Sequence, residues 1–442
     1  MGQMDQVRTR QQLSNGVTLI IQENHFNPTV SIVGYLKAGS IYDGASFFNN
    51  DQNPPPLGTA DFVAEMLMNG TTTRTWQQIA GDVESVGATI DIWGQRETIG
   101  IVSDLLVRDF DTVLDVLQDV LRNPTFPVEE IDKHRYQLHS AFMAWEDDTY
   151  SVSSRMLQEL VYPEDHPYHH RVQGTEDSIN QIAQQTLIDF HERLYRPDRL
   201  VLVITGDVDT NQVISKMGDV FGDWSVDLGP ETESVVDLST WIPEVLLSKP
   251  TKQVHSMMDK SQVDIALGHK GVTRSNPDCE ALYLMNQVLG GSAGIARLFN
   301  RVRDIQGLAY SVWSSLTPAT GEGAFTAGAG VDPKNVDRAV ESIVQEIRAI
   351  KDQGITSEEL SDVQNLTVGN FVLTLETNKG VASALSIAQL HNLGLDYIDQ
   401  HEEIYRQITL DQVNAVAQKY LFPDQICLAI AGPYQADITT SA

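Results

Sequence analysis

Apolar positions in this chain follow two periods. Short, nearly unbroken runs, Val17-Thr-Leu-Ile-Ile-Gln and Thr29-Val-Ser-Ile-Val-Gly-Tyr-Leu, predict strands. Longer stretches, Asp111 to Leu121 and Glu129 to Trp145, predict helices that bury one apolar stripe. A further amphipathic stretch, Gly58-Thr-Ala-Asp-Phe-Val-Ala-Glu-Met-Leu-Met-Asn-Gly-Thr71, predicts a helix that ends at Gly70. Ahead of it, Ala45 to Leu57 contains Phe47-Phe-Asn-Asn and Pro54-Pro-Pro and predicts a surface loop.

The pattern occurs twice. Leu194-Tyr-Arg-Pro-Asp-Arg-Leu-Val-Leu-Val-Ile-Thr-Gly206 and Tyr420-Leu-Phe-Pro-Asp-Gln-Ile-Cys-Leu-Ala-Ile-Ala-Gly432 align at a constant spacing of 226 residues. Each copy follows a helical stretch, Thr186 to Leu194 and Leu410 to Tyr420, and ends in an apolar strand of the fully covered kind. Pro127-Val-Glu-Glu-Ile-Asp and Thr356-Ser-Glu-Glu-Leu-Ser form a second pair, 229 residues apart, and both read as helix starts with acid in the first turn. At 442 residues the chain exceeds the ~250–300 at which a single core stops growing. The expected architecture is therefore two homologous halves, 1–225 and 250–442. The acidic, Pro- and Gly-punctuated stretch 226–249 would link them.

Charge narrows the partners. With 60 acids against 30 Lys and Arg, the net charge is −30, and no basic stripe exists to displace the counterions of a nucleic acid. That acidity reads either as a self-repelling soluble surface or as a field that attracts basic peptides. No segment is apolar for the ~18–20 residues that a membrane helix requires. Cys279 and Cys427 are the only cysteines, and Cys427 sits in an apolar run, which favours a core thiol over a disulfide. The N-terminus lacks the charged and apolar regions of a signal peptide, so the expected compartment is the cytoplasm, or the periplasm or an organelle if a targeting segment has been removed.

Several side-chain groups have plain readings. His166-Pro-Tyr-His169-His170 lies in a Pro-rich stretch where exposed imidazoles are expected, and His191-Glu192 reads as a solvated pair. Gly290-Gly291-Ser-Ala-Gly294 is too short and wrongly framed for a phosphate loop and reads as a helix-ending turn.

The informative segments are 58–71 and 297–312. In the inverted zinc motif His-x-x-Glu-His, two His on one helix face hold the metal, and the Glu between them activates water. The frame around 58–71 resembles the motif helix of the pitrilysin-type (inverzincin) metallopeptidases, the family that includes the mitochondrial processing peptidases. The three motif positions are here Asp61, Ala64 and Glu65. Asp61 and Glu65 share a helix face, but two carboxylates without a third ligand make a poor zinc site. The further Glu that completes coordination in the family falls near Ser140 or Ala141, and neither can ligate. Arg297-Leu-Phe-Asn-Arg-Val-Arg303-Asp-Ile-Gln-Gly-Leu-Ala-Tyr310-Ser-Val resembles the family's other signature, in which an Arg and a Tyr seven residues apart enter the active site. The positions are Arg303 and Tyr310. A phenol can donate to the oxyanion of a tetrahedral intermediate, and a guanidinium can fork onto a carbonyl or carboxylate.

The resemblance spans nearly the whole chain and implies an α+β fold of two homologous halves, each a mixed β-sheet flanked by helices. It also implies a division of labour. This chain would be the non-zinc-binding subunit of a heterodimeric metallopeptidase, holding no metal or cofactor itself and contributing Arg303 and Tyr310. A homologous partner subunit would bring zinc and the intact motif, and unfolded peptides would be the substrate. Metalloendopeptidase activity is then expected only from the pair. The alternative is a catalytically inactive scaffold or peptide-binding protein of the same fold.

Overall fold

In a computed structural model of the protein, residues 8–44, 54–225, 242–247, 249–292 and 294–435 are described. They form two compact units, each built on one mixed sheet.

The sheet of the first unit contains β1 (Arg8–Gln12), β2 (Thr18–Glu23), β3 (Thr29–Leu36), β4 (Thr89–Gly94), β5 (Ile99–Leu106) and β6 (Leu200–Gly206). Their order is β1-β2-β6-β3-β5-β4, with β2 and β6 parallel and the other pairs antiparallel. The second sheet contains β7 (Thr251–Ser256), β8 (Val263–Lys270), β9 (Ala309–Leu316), β10 (Ala324–Val331) and β11 (Cys427–Gly432), in the order β7-β11-β8-β10-β9. Again one pair, β7 with β11, is parallel. From β2 to β6 and from β7 to β11, the spatial order is first, fifth, second, fourth, third. The duplication inferred from two short sequence matches thus extends to the strand order and to the single parallel pair.

The central strands are apolar because both their faces are covered. β6 is buried at every position, and β11 at every position but Leu428. In the first unit, helix Asn378–Leu390 packs across β3 and β6. In the second, helix Thr149–Val161 packs across β8 and β11, burying Val152, Met156, Leu157 and Val161. Each covering helix comes from the opposite half of the sequence. The compact units therefore depart from the expected halves 1–225 and 250–442: segment 141–169 belongs to the second unit and segment 372–398 to the first. Sequence periodicity shows that a helix has an apolar face, but not which of two similar sheets the face will cover. The expected linker, 226–249, and the expected loop, 45–57, lie largely outside the described residues.

Element boundaries follow the apolar pattern closely. The expected helices at 111–121 and 129–145 are Phe110–Arg122 and Val128–Glu146. Those at 186–194 and 410–420 are Gln184–Leu194 and Leu410–Tyr420. No helix of the described residues is long and apolar enough to cross a membrane.

Candidate functional site

The degenerate motif lies on helix Thr59–Met66, which continues as a tighter turn over Leu67–Asn69 and stops at Gly70, as its sequence predicts. Gly58 precedes it at φ 90°, a conformation suited to glycine, and offers no capping side chain. Asp43 supplies the cap from outside the helix. Its two carboxylate oxygens accept the N–H groups of Gly58 at 2.9 Å and Ala60 at 3.0 Å, satisfying donors that would otherwise be orphaned at the helix start. Burial pushes the Asp43 carboxyl well up, against the pull of these two bonds.

Asp61 and Ala64 point into the unit, with 5% and 1% exposure, whereas Glu65 is exposed. Asp61 is pressed against β4: a Cβ built on Gly94 would stand 2.4 Å from Asp61 Oδ1, so only glycine allows the helix and strand to approach this closely. Burial lifts the Asp61 carboxyl to about 7, the Glu65 charge one turn away adds to the rise, and a hydrogen bond from the Gly94 backbone opposes it. Tyr195 lies within the electrostatic reach of Asp61. Its phenol is buried, and its hydroxyl has no hydrogen-bond partner among the described residues. In the sequence, Tyr195 serves only to register the repeat, where its counterpart is Leu421. A polar residue standing where the second copy has an apolar one was the available signal.

These side chains do not fit a tetrahedral zinc centre. The donors at the two ligand positions are hard carboxylates rather than imidazoles, and burial raises one of them, Asp61, to about 7. The water-activating position is a buried methyl group. Ser140 is exposed and donates its hydroxyl to the Tyr136 carbonyl at 3.1 Å. Among the described residues, no group of three or more His, Cys, Asp or Glu could hold a metal ion.

In the second unit, the structure brings Arg303 and Tyr310 together. A wide helical turn, Phe299–Ile305, carries Arg303, and Gly307 at φ 60° ends it, its N–H bonding the Arg303 carbonyl at 3.0 Å. β9 starts two residues later. It is the outermost strand of its sheet, and its pairing slips at one point: Ser311 faces Gly330, but Ala309 faces Val331. Tyr310 is therefore the additional residue of a β-bulge, the device by which strands re-aim a side chain. Tyr310 is 82% exposed. The Arg303 guanidinium stands 4.5 Å from the Phe299 ring centre and 6.0 Å from that of Tyr310.

Arg303 differs from its neighbours in one respect. Arg297 forks onto Glu359 at 2.6 and 2.7 Å, and Arg301 reaches Glu346 at 3.1 Å. Arg303 has no carboxylate partner among the described residues, in a chain with two acids for every base. It is held by aromatic faces, and its donors are left available.

Two further histidine readings change with the structure. His166, expected to be exposed, is buried; its Nδ1 accepts the Tyr168 N–H at 3.0 Å and its Nε2 lies 3.2 Å from the Pro243 carbonyl. His191, expected to be solvated, bonds the Leu121 carbonyl through Nε2 at 2.9 Å and stacks on Tyr195, and burial lowers it to about 4. Both imidazoles fasten loops or helices, because each finds a carbonyl within its own unit that local sequence does not reveal.

Comparison with known proteins gives this architecture a place. Residues 18–170 match the family profile described as insulinase, peptidase family M16, and residues 181–367 match that of the peptidase M16 inactive domain. The chain belongs to peptidase family M16. Together the two M16 profiles cover well over half of it, and the second includes Arg303 and Tyr310. An uncharacterized zinc protease of Mycobacterium leprae is 26% identical over 407 residues, 91% of this chain and 89% of that protein. The uncharacterized zinc protease YmxG of Bacillus subtilis is 25% identical over 422 residues, 95% and 97% of the two chains. The fold matches that of a peptidase M16 inactive domain from Pseudomonas fluorescens, with a TM-score of 0.87, 23% identity, and coverage of 97% and 98%. A protease from Helicobacter pylori follows at a TM-score of 0.85, 17% identity, and coverage of 96% and 99%.

Proposed function

We propose that this chain is the non-zinc-binding subunit of a heterodimeric M16 metallopeptidase. Arg303 and Tyr310 would complete an active site whose zinc and water-activating Glu belong to a homologous partner subunit. The observation that carries this reading is the Arg303–Tyr310 pair itself. A strand bulge turns the phenol outward, and the guanidinium is stacked but uncommitted, so both present donors to something outside the chain. In a peptide-cleaving complex these donors would meet the carbonyl and the oxyanion of an extended substrate. A polypeptide with no fixed fold can lie along a sheet edge, where backbone pairing gives affinity with little demand on sequence. The chain's acidity favours basic peptides.

The test is reconstitution. The purified chain, a zinc-bearing M16 subunit and their mixture are assayed on an unfolded peptide. Cleavage that requires both chains supports the reading. If the zinc-bearing subunit cleaves equally well without this chain, the active-site role is wrong and the chain is a scaffold or peptide holder of the same fold.

A further inference from the structure

The bulge that exposes Tyr310 also opens a cleft of about 420 Å³ beside it, within the size range of small-ligand sites. Gln262, Tyr310, Gly330, Asp332, Lys334 and Asn335 are among its lining residues. Gly330 keeps the floor open: a Cβ there would come within 2.6 Å of Gln262 Nε2.

Several side chains of this cleft can donate, while Gln262 already gives its amide N–H to Asp264 at 3.1 and 3.2 Å. Tyr310 offers a hydroxyl, Asn335 an amide held only by a long 3.4 Å bond to the Leu308 carbonyl, and Lys334 an ammonium. Asp332 is the one carboxylate among the lining residues, and it is already engaged. Its Oδ1 accepts the Lys334 N–H at 3.1 Å, and its Oδ2 takes the Lys334 ammonium at 3.0 Å. The Lys334 and Asp332 side chains are 76% and 49% exposed, so water screens their pairing and the ammonium can take a second partner. The Arg303 guanidinium stands 6.0 Å from the Tyr310 ring centre. Lys334 thus shares the cleft with Tyr310, whose ring Arg303 also approaches, and the one lining acid is already paired, in a chain of net charge −30.

We propose that this cleft is a carboxylate-binding subsite for the substrate peptide, taking either its C-terminal carboxylate or an acidic side chain. The inference rests on the peptide-handling function proposed above and adds a site that acts against the chain's overall charge. The chain's field draws in a basic segment, and the donors beside Tyr310 fix the one anionic group that the segment carries. Because β9 is an edge strand, an extended peptide paired along it would run toward the cleft at the Tyr310 end.

Binding of one extended, unfolded peptide to the full chain tests this, using three forms: free C-terminal acid, C-terminal amide, and amide with a Glu near the C-terminus. The free acid is expected to bind about tenfold or more tightly than the plain amide, the scale of a charge-assisted bond. Lys334→Gln should abolish that preference without changing thermal stability or affinity for the amide. Tight binding of the Glu-containing amide instead identifies a side chain as the source of the carboxylate. Equal affinity for all three forms overturns the subsite while the peptide-handling function stands, and a preference that survives Lys334→Gln overturns it as well. If no form binds, both fall.

Discussion

The Arg303 guanidinium lies 6.0 Å from the Tyr310 ring centre, with the Phe299 ring packed nearer at 4.5 Å. Seven residues of sequence separate the pair, and a helix end, a left-handed glycine and a strand bulge fold that separation into a contact. Cation–π packing orients a guanidinium without consuming its hydrogen-bond donors. The guanidinium is thereby held by two rings while its donors stay unpaired with any carboxylate among the described residues.

This arrangement predicts a specific kinetic pattern. In the reconstituted peptidase, Tyr310→Phe should lower kcat/KM by about 10²–10³, the cost of losing one oxyanion donor, with the loss mainly in kcat. Arg303→Lys keeps the charge but loses the planar fork and the stacking, and it should cost at least about tenfold. Neither change touches the core, so the melting temperature should stay within a degree or two of wild type. Unchanged peptide cleavage by Tyr310→Phe rules out the phenol as a participant.

A second prediction concerns pH. The Asp61 carboxyl is raised by burial to about 7 from an ordinary 3.8. A folded pKa above the unfolded one means that the native state binds the extra proton between these values, so stability falls as pH rises through that window. The whole contribution is present below about pH 4, declines toward pH 7 and is absent above it. At ~1.4 kcal/mol for each tenfold change in proton affinity, its upper bound is about 4 kcal/mol. Asp61→Asn keeps an acceptor for the Gly94 amide and cannot ionise. Denaturant titrations from pH 4 to 8 should show a flatter stability profile for this variant and a gain at pH 8. An identical slope in both proteins refutes the assignment.

Tyr195 supplies a third test. A buried hydroxyl without a partner costs about 1–3 kcal/mol of desolvation that nothing recovers. Tyr195→Phe keeps the ring stacked 4.6 Å from His191 and removes only that oxygen. The variant should match or exceed wild-type stability by about 1 kcal/mol in urea unfolding. Clear destabilisation means that the hydroxyl is engaged, with Asp61, whose charge acts on it, as the candidate partner.

Some of these features are legible in the sequence and others are not, for physical reasons. Apolar runs such as Leu200–Gly206 are strands wherever they fall, because full coverage demands continuous hydrophobicity, and the repeat at 194–206 and 420–432 marks the duplication. That Asp61, Ala64 and Glu65 stand at the three motif positions is equally legible, since it is a matter of residue type alone. The exchange of helices 149–161 and 378–390 between units was not, because the two sheets present similar apolar faces. The Tyr310 bulge was hidden too. It depends on pairing between β9 and β10, and nothing in Ala-Tyr-Ser announces a slipped register. Asp43 as the cap of the motif helix lies 15 residues before its partner Gly58, beyond the reach of local capping rules.

The degenerate motif can be challenged directly by restoring it. Asp61→His, Ala64→Glu and Glu65→His together recreate the two imidazoles and the base on one helix face. Two obstacles remain. Position 64 is 1% exposed, so a carboxylate there enters an apolar site without a counter-charge, which costs about 3–5 kcal/mol or forces the group to stay protonated. The third-ligand place still falls on Ser140 or Ala141, so the zinc would be held by two protein atoms where a catalytic site uses three. The triple variant should therefore be less stable than wild type and retain well under one zinc per chain after dialysis against a weak chelator. Adding Glu at 140 or 141 should raise metal retention more than any further change on the 59–66 helix. One zinc per chain in the triple variant alone would mean that a third ligand exists elsewhere in the first unit, and the reading of this helix as unable to support a metal centre would fall.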